Sequence, residues 1–557
     1  MKIALVTTPP SLASGIGDYT RHLLPELSRH GHVDLFVEDG REGELLLGRE
    51  MRPVGALVPR EYDQIVYQLG NEIAHAFMAP LVRRLGGTVV LHDWVLFDMA
   101  LAAHPALARG GLKGLALALR EGGLGQANIY VDNFLARRRA RSAAHDTTES
   151  SRSDRVLLDG WHAIEPDGRW TSELARVRLS GSGLERVRIA FATEAGRRVQ
   201  VACAERSAEA TASEKSREFE LAMELRGLTD PILEISAGPL FESDEQRRHH
   251  DTRRLGAFVR RITVRDAHGE RDLDLNAQAA ATLATLGLTR DRFRLCFNRS
   301  IVRFADAFLV HSNFVREKIL VERTARTQVA VVHHGASARW SDEDRRMTRA
   351  RLNLPADWQA GILLTSFGNV QAHKRIEPLL QAFAAARRER SDLRLALIGT
   401  EDRETLNVPA LLRQLGLESS VRLTGHVHES EAWPWIHAGD FAVQLRGPST
   451  GGSSGGVFQS LGLGRGVIAS DLDEQRELPG ACVLRVAPGA GEVAALSKLI
   501  LELASDAARR GVLEQAARTF VENECSWSKV ATTYAENLSR FPRARASRNP
   551  LWRQTRS

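Results

Sequence analysis

Residues Pro448 to Asp471 read PSTGGSSGGVFQSLGLGRGVIASD, and this stretch decides how the chain is interpreted. Its glycines leave backbone amides open to an anion, and the apolar run from Val457 begins a helix whose positive end faces them. The residues of this loop are Gly451, Gly452, Ser453, Ser454, Gly455 and Gly456. The pattern predicts a binding site for a diphosphate. A flexible Gly/Ser loop is the alternative, because a short glycine-rich motif is a weak signal by itself.

Length and composition predict a globular protein of two or three domains. The chain has 557 residues, of which 43% are hydrophobic and 26% charged. No segment reaches the roughly 18 uninterrupted apolar residues of a membrane span. The first ten residues, MKIALVTTPP, lack the features of a secretory signal, so we expect a cytoplasmic protein. Disulfides and structural zinc are not expected, since the cysteines are scattered along the chain at Cys203, Cys296, Cys482 and Cys525.

Positive charge is concentrated at the end of the chain. The sequence has 75 Lys and Arg against 69 Asp and Glu, and Arg540–Ser557 carries six arginines without an acid. A disordered basic tail is predicted, which either touches an anionic membrane surface or has no partner. Nucleic acid is not an expected partner.

The first part of the chain alternates strand and helix patterns. Lys2–Thr7 is a short apolar run, Asp18–Ser28 has apolar positions at helical spacing, and VDLFV follows at 33–37. Similar runs recur at Gln64–Tyr67, Thr88–Leu91, Ala307–Val310 and Val329–Val332. This alternation predicts a parallel sheet with helices on both faces.

A second α/β series begins at Ile362 and ends at the glycine-rich stretch. It comprises Ile362–Gly368, the helical pattern Ile376–Arg387, Leu393–Ile398, Val421–Leu423 and Phe441–Val443. The fold class is therefore predicted to be α/β, with two doubly wound parallel-sheet domains facing a cleft. Ligands of such sheets bind beyond the carboxyl ends of the strands, where the loops of Gly15, His92, Lys374 and Ser453 are expected to lie.

A segment of a different kind lies between these series. Residues 143–154 are polar and resemble a linker, and short alternating runs follow, which are ARVRLSG, RVRIAFAT, RVQVACAE, EFELAMEL, PILEISA and FVRRITVRD. They predict an inserted all-β sandwich. Trp161 and Trp170 are candidates to stack on sugar rings, and burial in the sandwich core is the alternative.

Seven segments together resemble one family. They are SGIGDYTRHLLPELSRHGHVDLF from residue 14, YQLGNEIAHAFMAPLVRRLGGTVVLHDWVLFDMA from 67, ADAFLVHSNFVREKI from 305, VAVVHHGA from 329, LLTSFGNVQAHKRIEPLLQAFAAARRERSDLRLALIGT from 363, VRLTGHV from 421 and the glycine-rich stretch. In this order the chain resembles the retaining GT-B glycosyltransferases of family four, also called glycosyl transferases group 1. The insert is similar to an accessory β-sandwich of some bacterial polysaccharide glycosyltransferases, through GWHAIEPDGRWTS and DTRRLGAFVRRITV.

The resemblance also guides the predicted domain boundaries, since the near-terminal CSWSKVATTYAENL is similar to the helices that cross back to the first domain in this family. The first α/β domain is expected at 1–150 and 269–340, the β-sandwich at 155–268, the nucleotide-sugar-binding α/β domain at 341–520, the crossover helix at 521–540 and the basic tail at 541–557.

Roles in the first domain follow from the resemblance. Gly15 and Gly17 would allow the first loop to approach the donor or acceptor closely, as glycine permits. His92, at the end of the apolar run TVVL, matches the histidine that contacts the donor sugar, and Asp93 would orient it. A His/Asp pair that only caps a strand end is the alternative.

Two cations of the second domain match the diphosphate site of the family. Lys374 corresponds to the pyrophosphate lysine, and Arg375 is expected to share its work. The alternative is a solvated helix start, but cations are unfavourable beside the positive end of a helix, which favours an anionic partner.

The sequence departs from the family at two acids. Relatives carry one glutamate near the donor sugar and one on the nucleotide ribose, and here these positions fall at Gly451 or Gly452 and at Gln459. Gln459 keeps a carbonyl acceptor for a ribose hydroxyl, although a neutral amide makes a weaker hydrogen bond than a carboxylate, by about 1 kcal/mol. We therefore expect either a different way of recognising the sugar or a loss of catalysis.

The expected function is transfer of a sugar from a nucleotide-diphosphate sugar to a glycan or lipid-linked acceptor with retention, in bacterial surface polysaccharide synthesis. Neither a metal nor a cofactor is expected, because Lys374 and the helix end would neutralise the departing diphosphate. Peripheral contact with the inner membrane surface is part of this hypothesis. One alternative is a catalytically silent GT-B protein that binds glycan or supports assembly. Another is a different GT-B enzyme, such as an epimerase or a phosphorylase, whose characteristic residues are not evident.

Overall fold

A computed structural model describes residues 1–12, 14–145, 157, 161–165, 168–172, 174–179, 183–193, 195–213, 217–228, 231–238, 255–273, 275, 292–323, 327–341, 343–401 and 406–543. Within these residues the chain forms two compact units, one from Met1–Ala127 and Phe293–Ser557 and the other from Asn128–Arg292. The finer boundaries expected from the sequence stay predictions.

The strands are β1 (Lys2–Val6), β2 (His32–Val37), β3 (Leu45–Leu46), β4 (Arg49–Pro53), β5 (Gln64–Leu69), β6 (Thr88–Leu91), β7 (Trp161–Glu165), β8 (Gly168–Thr171), β9 (Leu174–Arg178), β10 (Arg186–Ala192), β11 (Arg198–Cys203), β12 (Arg206–Thr211), β13 (Glu218–Glu224), β14 (Ile232–Gly238), β15 (Phe258–Asp266), β16 (Gly269–Asp272), β17 (Ala307–Val310), β18 (Gln328–Val331), β19 (Ile362–Phe367), β20 (Leu393–Ile398), β21 (Val421–Leu423), β22 (Phe441–Gln444), β23 (Val467–Ser470) and β24 (Val483–Val486).

The α-helices span Gly15–Leu27, Met78–Leu85, Phe97–Ala103, Pro105–Arg109, Gly111–His145, Arg299–Phe304, Asn313–Glu322, Arg345–Arg351, Ala356–Ala360, Ile376–Glu389, Val408–Leu415, Glu429–Ala438, Gly455–Gly462, Glu492–Ser505, Ala507–Phe520 and Trp527–Arg540. Short 3-10 turns lie at Val54–Ala56, Pro59–Glu61, Ile73–His75 and Ala372–Lys374, and a π-helical turn lies at Val521–Cys525. None of the helices in the described part of the chain is both long and apolar enough to cross a membrane.

The first α/β domain contains an eight-stranded sheet in the order β18-β17-β6-β5-β1-β2-β4-β3. All pairs of neighbouring strands in this sheet are parallel except β3–β4, which is antiparallel. The inner strands β1, β5, β6 and β17 are almost fully buried, which is why their sequences are nearly continuous apolar runs. The strand order turns back between β1 and β5, so the loops that follow these two strands open at the ligand-binding edge.

The second α/β domain contains six parallel strands in the order β21-β20-β19-β22-β23-β24. Its order reverses between β19 and β22, which places the ligand-binding crevice at the carboxyl ends of these strands. The helix Ile376–Glu389 buries Ile376, Leu379, Leu380 and Phe383, positions at helical spacing, against this sheet.

The last helix, Trp527–Arg540, packs on the first α/β domain. Its Tyr534 hydroxyl lies 2.7 Å from the Tyr19 hydroxyl, and the Gln64 side chain donates to the Leu538 carbonyl at 2.9 Å. Val530, Ala531 and Leu538 join the core around β1 and β2. The end of the described chain is therefore part of the first domain's core. The expected tail lies outside the described residues except for 541–543.

The smaller unit contains the last part of the helix Gly111–His145 and, after it, an all-β insertion of two antiparallel sheets. One contains β13-β10-β15-β8-β7 with β16 paired to β15, and the other contains β12-β11-β14-β9. Side chains from both sheets, such as Ile189 and Val199, share one hydrophobic core. Trp161 belongs to this core with 8% exposure, and Trp170 is half-buried beside Phe258. The α/β class with an inserted all-β sandwich is therefore confirmed.

Candidate functional site

The loop after β22 contacts the loop after β6. Trp94 and Val95 both donate their backbone N–H to the Thr450 carbonyl, at 2.8 and 3.0 Å. The Thr450 hydroxyl also lies 3.3 Å from Asp93 Oδ1. The structure thus brings the predicted His92–Asp93 segment together with the predicted glycine-rich loop.

Two glycines make this approach possible. A Cβ at Gly451 would lie 2.5 Å from the Trp94 Cβ, and the φ angle of Gly451 is +73°. A Cβ at Gly452 would lie 2.3 Å from Asp93 Oδ1 and 2.9 Å from the His92 carbonyl oxygen. These positions have no room for a side chain, which gives a packing reason for the absence of the family's first glutamate.

The helix Gly455–Gly462 begins directly after the loop. Gly456 packs on the sheet, because its Cβ would lie 2.7 Å from Gln444 Oε1 and 2.8 Å from the Phe367 carbonyl oxygen. A Cβ at Gly455 would meet nothing within 4 Å, so there is open space beside the first residue of the helix. Ser454 is 2% exposed and makes no side-chain cap. Ser453 Oγ is buried without a hydrogen-bond partner among the described residues. The hydroxyl group is therefore available to hydrogen-bond a ligand at the start of the helix.

Lys374 lies beside Arg446 at the switch point of the second sheet. The Lys374 Nζ is 3.4 Å from where a Cβ of Gly368 would lie, just after β19. Arg446 follows β22 and donates to the Gly452 carbonyl at 3.0 Å, and its buried Nε has no partner among the described residues. Burial and then Arg446 lower the pKa of Lys374 to about 7, while Asp93 opposes them. Both cationic side chains are half-buried, and two neighbouring cations favour an anion between them.

Arg375 is directed elsewhere. It donates from Nε to Glu492 Oε1 at 2.6 Å and pairs through a second nitrogen with Glu492 Oε2. Glu492 is 2% exposed, so the pair anchors the turn after Lys374, where the φ angle of Arg375 is +52°. The second cation beside Lys374 is therefore Arg446, which the sequence did not single out because it stands in no recognised motif.

Asp93 is an acid that interacts electrostatically with both cations. Its Oδ2 accepts from the Asn71 backbone N–H at 3.0 Å. Burial raises the pKa of Asp93, and Asn71, Arg446, Thr450 and Lys374 act in the opposite direction. The predicted pair of Asp93 and Lys374 is thus close enough to interact electrostatically.

His92 uses both ring nitrogens inside the first domain. His311 donates from Nδ1 to the Val332 carbonyl at 2.8 Å, so its Nε2 is the acceptor for His92 Nδ1 at 3.1 Å. The other nitrogen, His92 Nε2, is then an acceptor and lies 2.7 Å from the Gln68 side-chain amide, whose nitrogen must face it. His92 is 7% exposed. The contact of His92 with a donor sugar stays a prediction, and a hydrogen bond from a ring nitrogen to a ligand would require one of these two bonds to break.

The first loop lies at the same edge of the first sheet. Gly17 donates its N–H to the Ser14 hydroxyl at 3.1 Å, and a Cβ at Gly15 would meet nothing within 4 Å. Glu72, after β5, is hydrogen-bonded to Ser14 and Gly15, and burial raises its pKa to about 7, with Asp93 adding to the rise. The Gly15 loop therefore faces an acid that the sequence did not mark.

Two further acids enter the site from the loop after β23. Glu474 is 5% exposed and accepts from the Ser449 hydroxyl at 2.7 Å. Glu477 accepts backbone N–H groups of Asn313 and Phe314, at 2.7 and 2.8 Å, at the start of a helix of the first domain. Gln459 is half-buried one turn into the helix Gly455–Gly462. Within the described ranges, no three His, Cys, Asp or Glu side chains form a group suited to a metal ion, and metal independence stays a prediction.

Comparison with known proteins gives the family of the second α/β domain. Residues 361–506 match the family model described as glycosyl transferases group 1. This range contains Lys374, Arg446, Glu474 and the glycine-rich loop. Among curated protein sequences, none matches the chain.

Solved structures share the fold at low identity. Sucrose-phosphate synthase from Thermosynechococcus elongatus is 14% identical, with 97% of this chain and 98% of that chain covered and a TM-score of 0.51. The pneumococcal O-GlcNAc transferase GtfA, in complex with UDP and GlcNAc, is 10% identical, covers 97% and 99%, and has a TM-score of 0.42. Anabaena HepE in complex with UDP-glucose is 16% identical, covers 47% and 75%, and has a TM-score of 0.39. Residues 361–506 therefore form a domain of the glycosyl transferases group 1 family, within a chain of the GT-B fold.

Proposed function

We propose that the protein transfers a sugar from a nucleotide-diphosphate sugar to a glycan or lipid-linked acceptor, with retention, in bacterial surface polysaccharide synthesis. The observation that supports this most is the pair of cations, Lys374 and Arg446, held together at the switch point of a group 1 domain. A diphosphate between them would relieve their repulsion and lie near the positive end of the helix that begins at Gly455, beside which there is open space. Cytoplasmic location, with peripheral contact at the inner membrane, belongs to the same proposal.

The proposed chemistry is a displacement on one face of the sugar. The acceptor hydroxyl forms a bond to the anomeric carbon while the bond from that carbon to the diphosphate oxygen breaks. The hydroxyl proton passes to the departing diphosphate, whose charge Lys374 and Arg446 stabilise. No metal is needed to balance this step, because the two cations and the helix start supply the positive charge.

A catalytically silent GT-B protein is the second candidate. The closed packing of Gly451 and Gly452 on Asp93 and Trp94 favours it, because no acid stands where the family has its first glutamate. The two candidates differ in one result, since only the enzyme releases nucleoside diphosphate from a sugar nucleotide.

Calorimetry of the full chain tests the proposal. We would titrate UDP, GDP and ADP into the protein. We would then measure the release of nucleoside diphosphate from the hexose derivatives of these three nucleotides. One of the three diphosphates is expected to bind, and Lys374→Met is expected to weaken binding at least about tenfold, which is about 1.4 kcal/mol. Diphosphate release that disappears in Lys374→Met eliminates the silent candidate.

A matched control separates the site from a general loss of charge. Lys498 is an exposed lysine on the helix Glu492–Ser505, and Lys498→Met is expected to bind like the unaltered protein. Absence of binding to all three diphosphates at millimolar concentration would contradict the proposal, and so would equal losses in both variants.

A further inference from the structure

Glu474 is a buried acid with half of its carboxylate unused. It is 5% exposed, and its Oε2 accepts from the Ser449 hydroxyl at 2.7 Å. Its Oε1 is buried and has no hydrogen-bond partner among the residues that the structure describes. A buried carboxylate oxygen without a partner destabilises the folded state, so the fold alone gives no reason to keep it.

The surroundings of Glu474 hold the carboxylate in place. Ser449 Oγ also accepts the Gly451 backbone N–H at 3.1 Å, which ties the acid to the glycine-rich loop. Burial raises the pKa of Glu474, and Ser449, the backbone N–H of Glu474 itself and Arg446 act against the rise. Arg446 also acts on the pKa of Lys374 and that of Asp93, so one guanidinium is shared by all three groups. The acid therefore belongs to the same electrostatic cluster as the proposed diphosphate site.

The position of Glu474 favours the sugar end of a donor over its phosphates. Its carboxylate would repel a phosphate, whereas it can accept a hydrogen bond from a hydroxyl. Its partner Ser449 precedes Thr450, the residue that contacts Trp94 and Val95 of the first domain. Glu474 is thus bonded to the part of the loop that meets the first domain, and the helix start with Gly455 lies farther along the chain.

We propose that Glu474 is a specificity-determining residue whose free Oε1 accepts a hydrogen bond from a hydroxyl group of the donor's sugar. This inference rests on the proposed function. The acid selects a neutral hexose, because a sugar that carries its own carboxylate would place two like charges together in a buried site.

Binding of matched ligand pairs to the full chain tests this inference. We would measure the affinities of UDP, GDP and ADP and of their forms that carry glucose, galactose, mannose or N-acetylglucosamine. For the base that binds, Glu474→Gln is expected to change the affinity of the bare diphosphate by less than about twofold. The affinity of the best hexose form is expected to fall about tenfold, equal to about 1.4 kcal/mol.

A second pair of ligands shows whether Glu474 discriminates between a neutral and a negatively charged sugar. The unaltered protein is expected to bind the glucuronic acid form less tightly than the glucose form, and Glu474→Gln is expected to narrow that difference. Ser449→Ala should follow Glu474→Gln with a smaller loss, because it frees the carboxylate without removing it. Asp473→Asn is the matched control, since Asp473 is next in sequence, 56% exposed and paired with Arg476.

Each outcome decides the inference. If Glu474→Gln lowers the affinities of the bare diphosphate and of the hexose form equally, Glu474 acts on the nucleotide or on the fold, and the inference is overturned. It is also overturned if no hexose form binds more tightly than its diphosphate, or if Glu474→Gln changes neither affinity. Failure of the proposed function is a separate result, in which the unaltered protein binds no diphosphate. The inference then falls with it.

Discussion

The two histidines of the first domain and the Arg446–Glu474 group of the second domain differ in how much hydrogen-bonding capacity they have left. His92 and His311 bond to each other, and their outer nitrogens face Gln68 and the Val332 carbonyl. Arg446 Nε and Glu474 Oε1 are buried without a partner among the described residues. The family resemblance pointed to His92, whereas the structure leaves free polar atoms at residues that no motif marks. Buried polar atoms without partners are therefore the observation on which the proposal for Arg446 and Glu474 rests.

The contrast extends to charge. Burial and the neighbouring imidazoles lower the pKa of His92, so the histidine pair is neutral at physiological pH. Lys374 and Arg446 lie beside one another with Asp93 and Glu474 close by. The second group therefore carries charges that a bound ligand can neutralise. We interpret the first group as a support for the β6 loop and the second as the binding surface.

The largest expected effect comes from separating the two groups. Gly452→Ala places a methyl group 2.3 Å from Asp93 Oδ1 and 2.9 Å from the His92 carbonyl, so the loop must move away from the first domain. Turnover is expected to fall about 100-fold, which corresponds to about 2.7 kcal/mol in the barrier. Steady-state release of nucleoside diphosphate measures it.

The control for this change is Gly511→Ala. Gly511 is exposed within the helix Ala507–Phe520, and a Cβ there meets nothing within 4 Å. Alanine is more favourable than glycine inside a helix by about 1 kcal/mol. Unchanged or slightly higher thermal stability with full turnover is expected. Full turnover in Gly452→Ala would show that the contact of the two loops is not needed for function.

The next effect is the response of the histidine pair to acid. Burial lowers the pKa of His311 from 6.5 to about 4. The unfolded chain therefore binds more protons than the folded one between these values. His311 stabilises the fold above pH 6.5, and this contribution falls as the pH drops toward 4. Between pH 7 and pH 5 the loss is about 2 kcal/mol.

Unfolding temperature measured against pH tests this linkage. His311→Gln keeps a side chain that can both donate and accept but does not titrate, so its stability is expected to fall less steeply below pH 6.5. His30→Gln, at an exposed histidine, is expected to retain the slope of the unaltered protein. Equal slopes in all three proteins would mean that His311 is not a buried neutral group.

Much of the fold could be predicted from local patterns. Most parallel strands of the two α/β domains could be identified as apolar runs, and the six sandwich strands with alternating residues were also identified. The parallel strands β4 and β24 were missed, since REMRP and VLRV are interrupted by charged residues. β12 and β16 were missed, since RSAEAT has few apolar residues and all four residues of β16 are exposed. β7 and β8, around Trp161 and Trp170, were not predicted as strands, because they are short and flanked by turn residues.

The site was less predictable because it depends on pairing across the fold. Lys374, Asp93 and the glycine-rich loop were named from the sequence and lie together. Arg446 and Glu474 were not named, because their importance comes from burial and from atoms left without partners, which a sequence does not display. The role expected for Arg375 also depended on such a contact, since only the structure shows that Glu492 binds it.

The smallest of the expected effects tests whether Lys374 becomes protonated when a diphosphate binds. Its pKa of about 7 in the free protein should rise when a diphosphate binds, so binding takes up a proton above pH 7. The terminal phosphate, with a pKa of about 6, has already lost its proton there. Affinity is therefore expected to fall by up to about tenfold per pH unit above pH 7, measured by calorimetry at pH 6.5, 7.5 and 8.5. Lys374→Arg keeps its charge throughout this range, so its affinity should be nearly constant. The same slope in both proteins would show that the titrating group lies elsewhere and that Lys374 is charged before the ligand arrives.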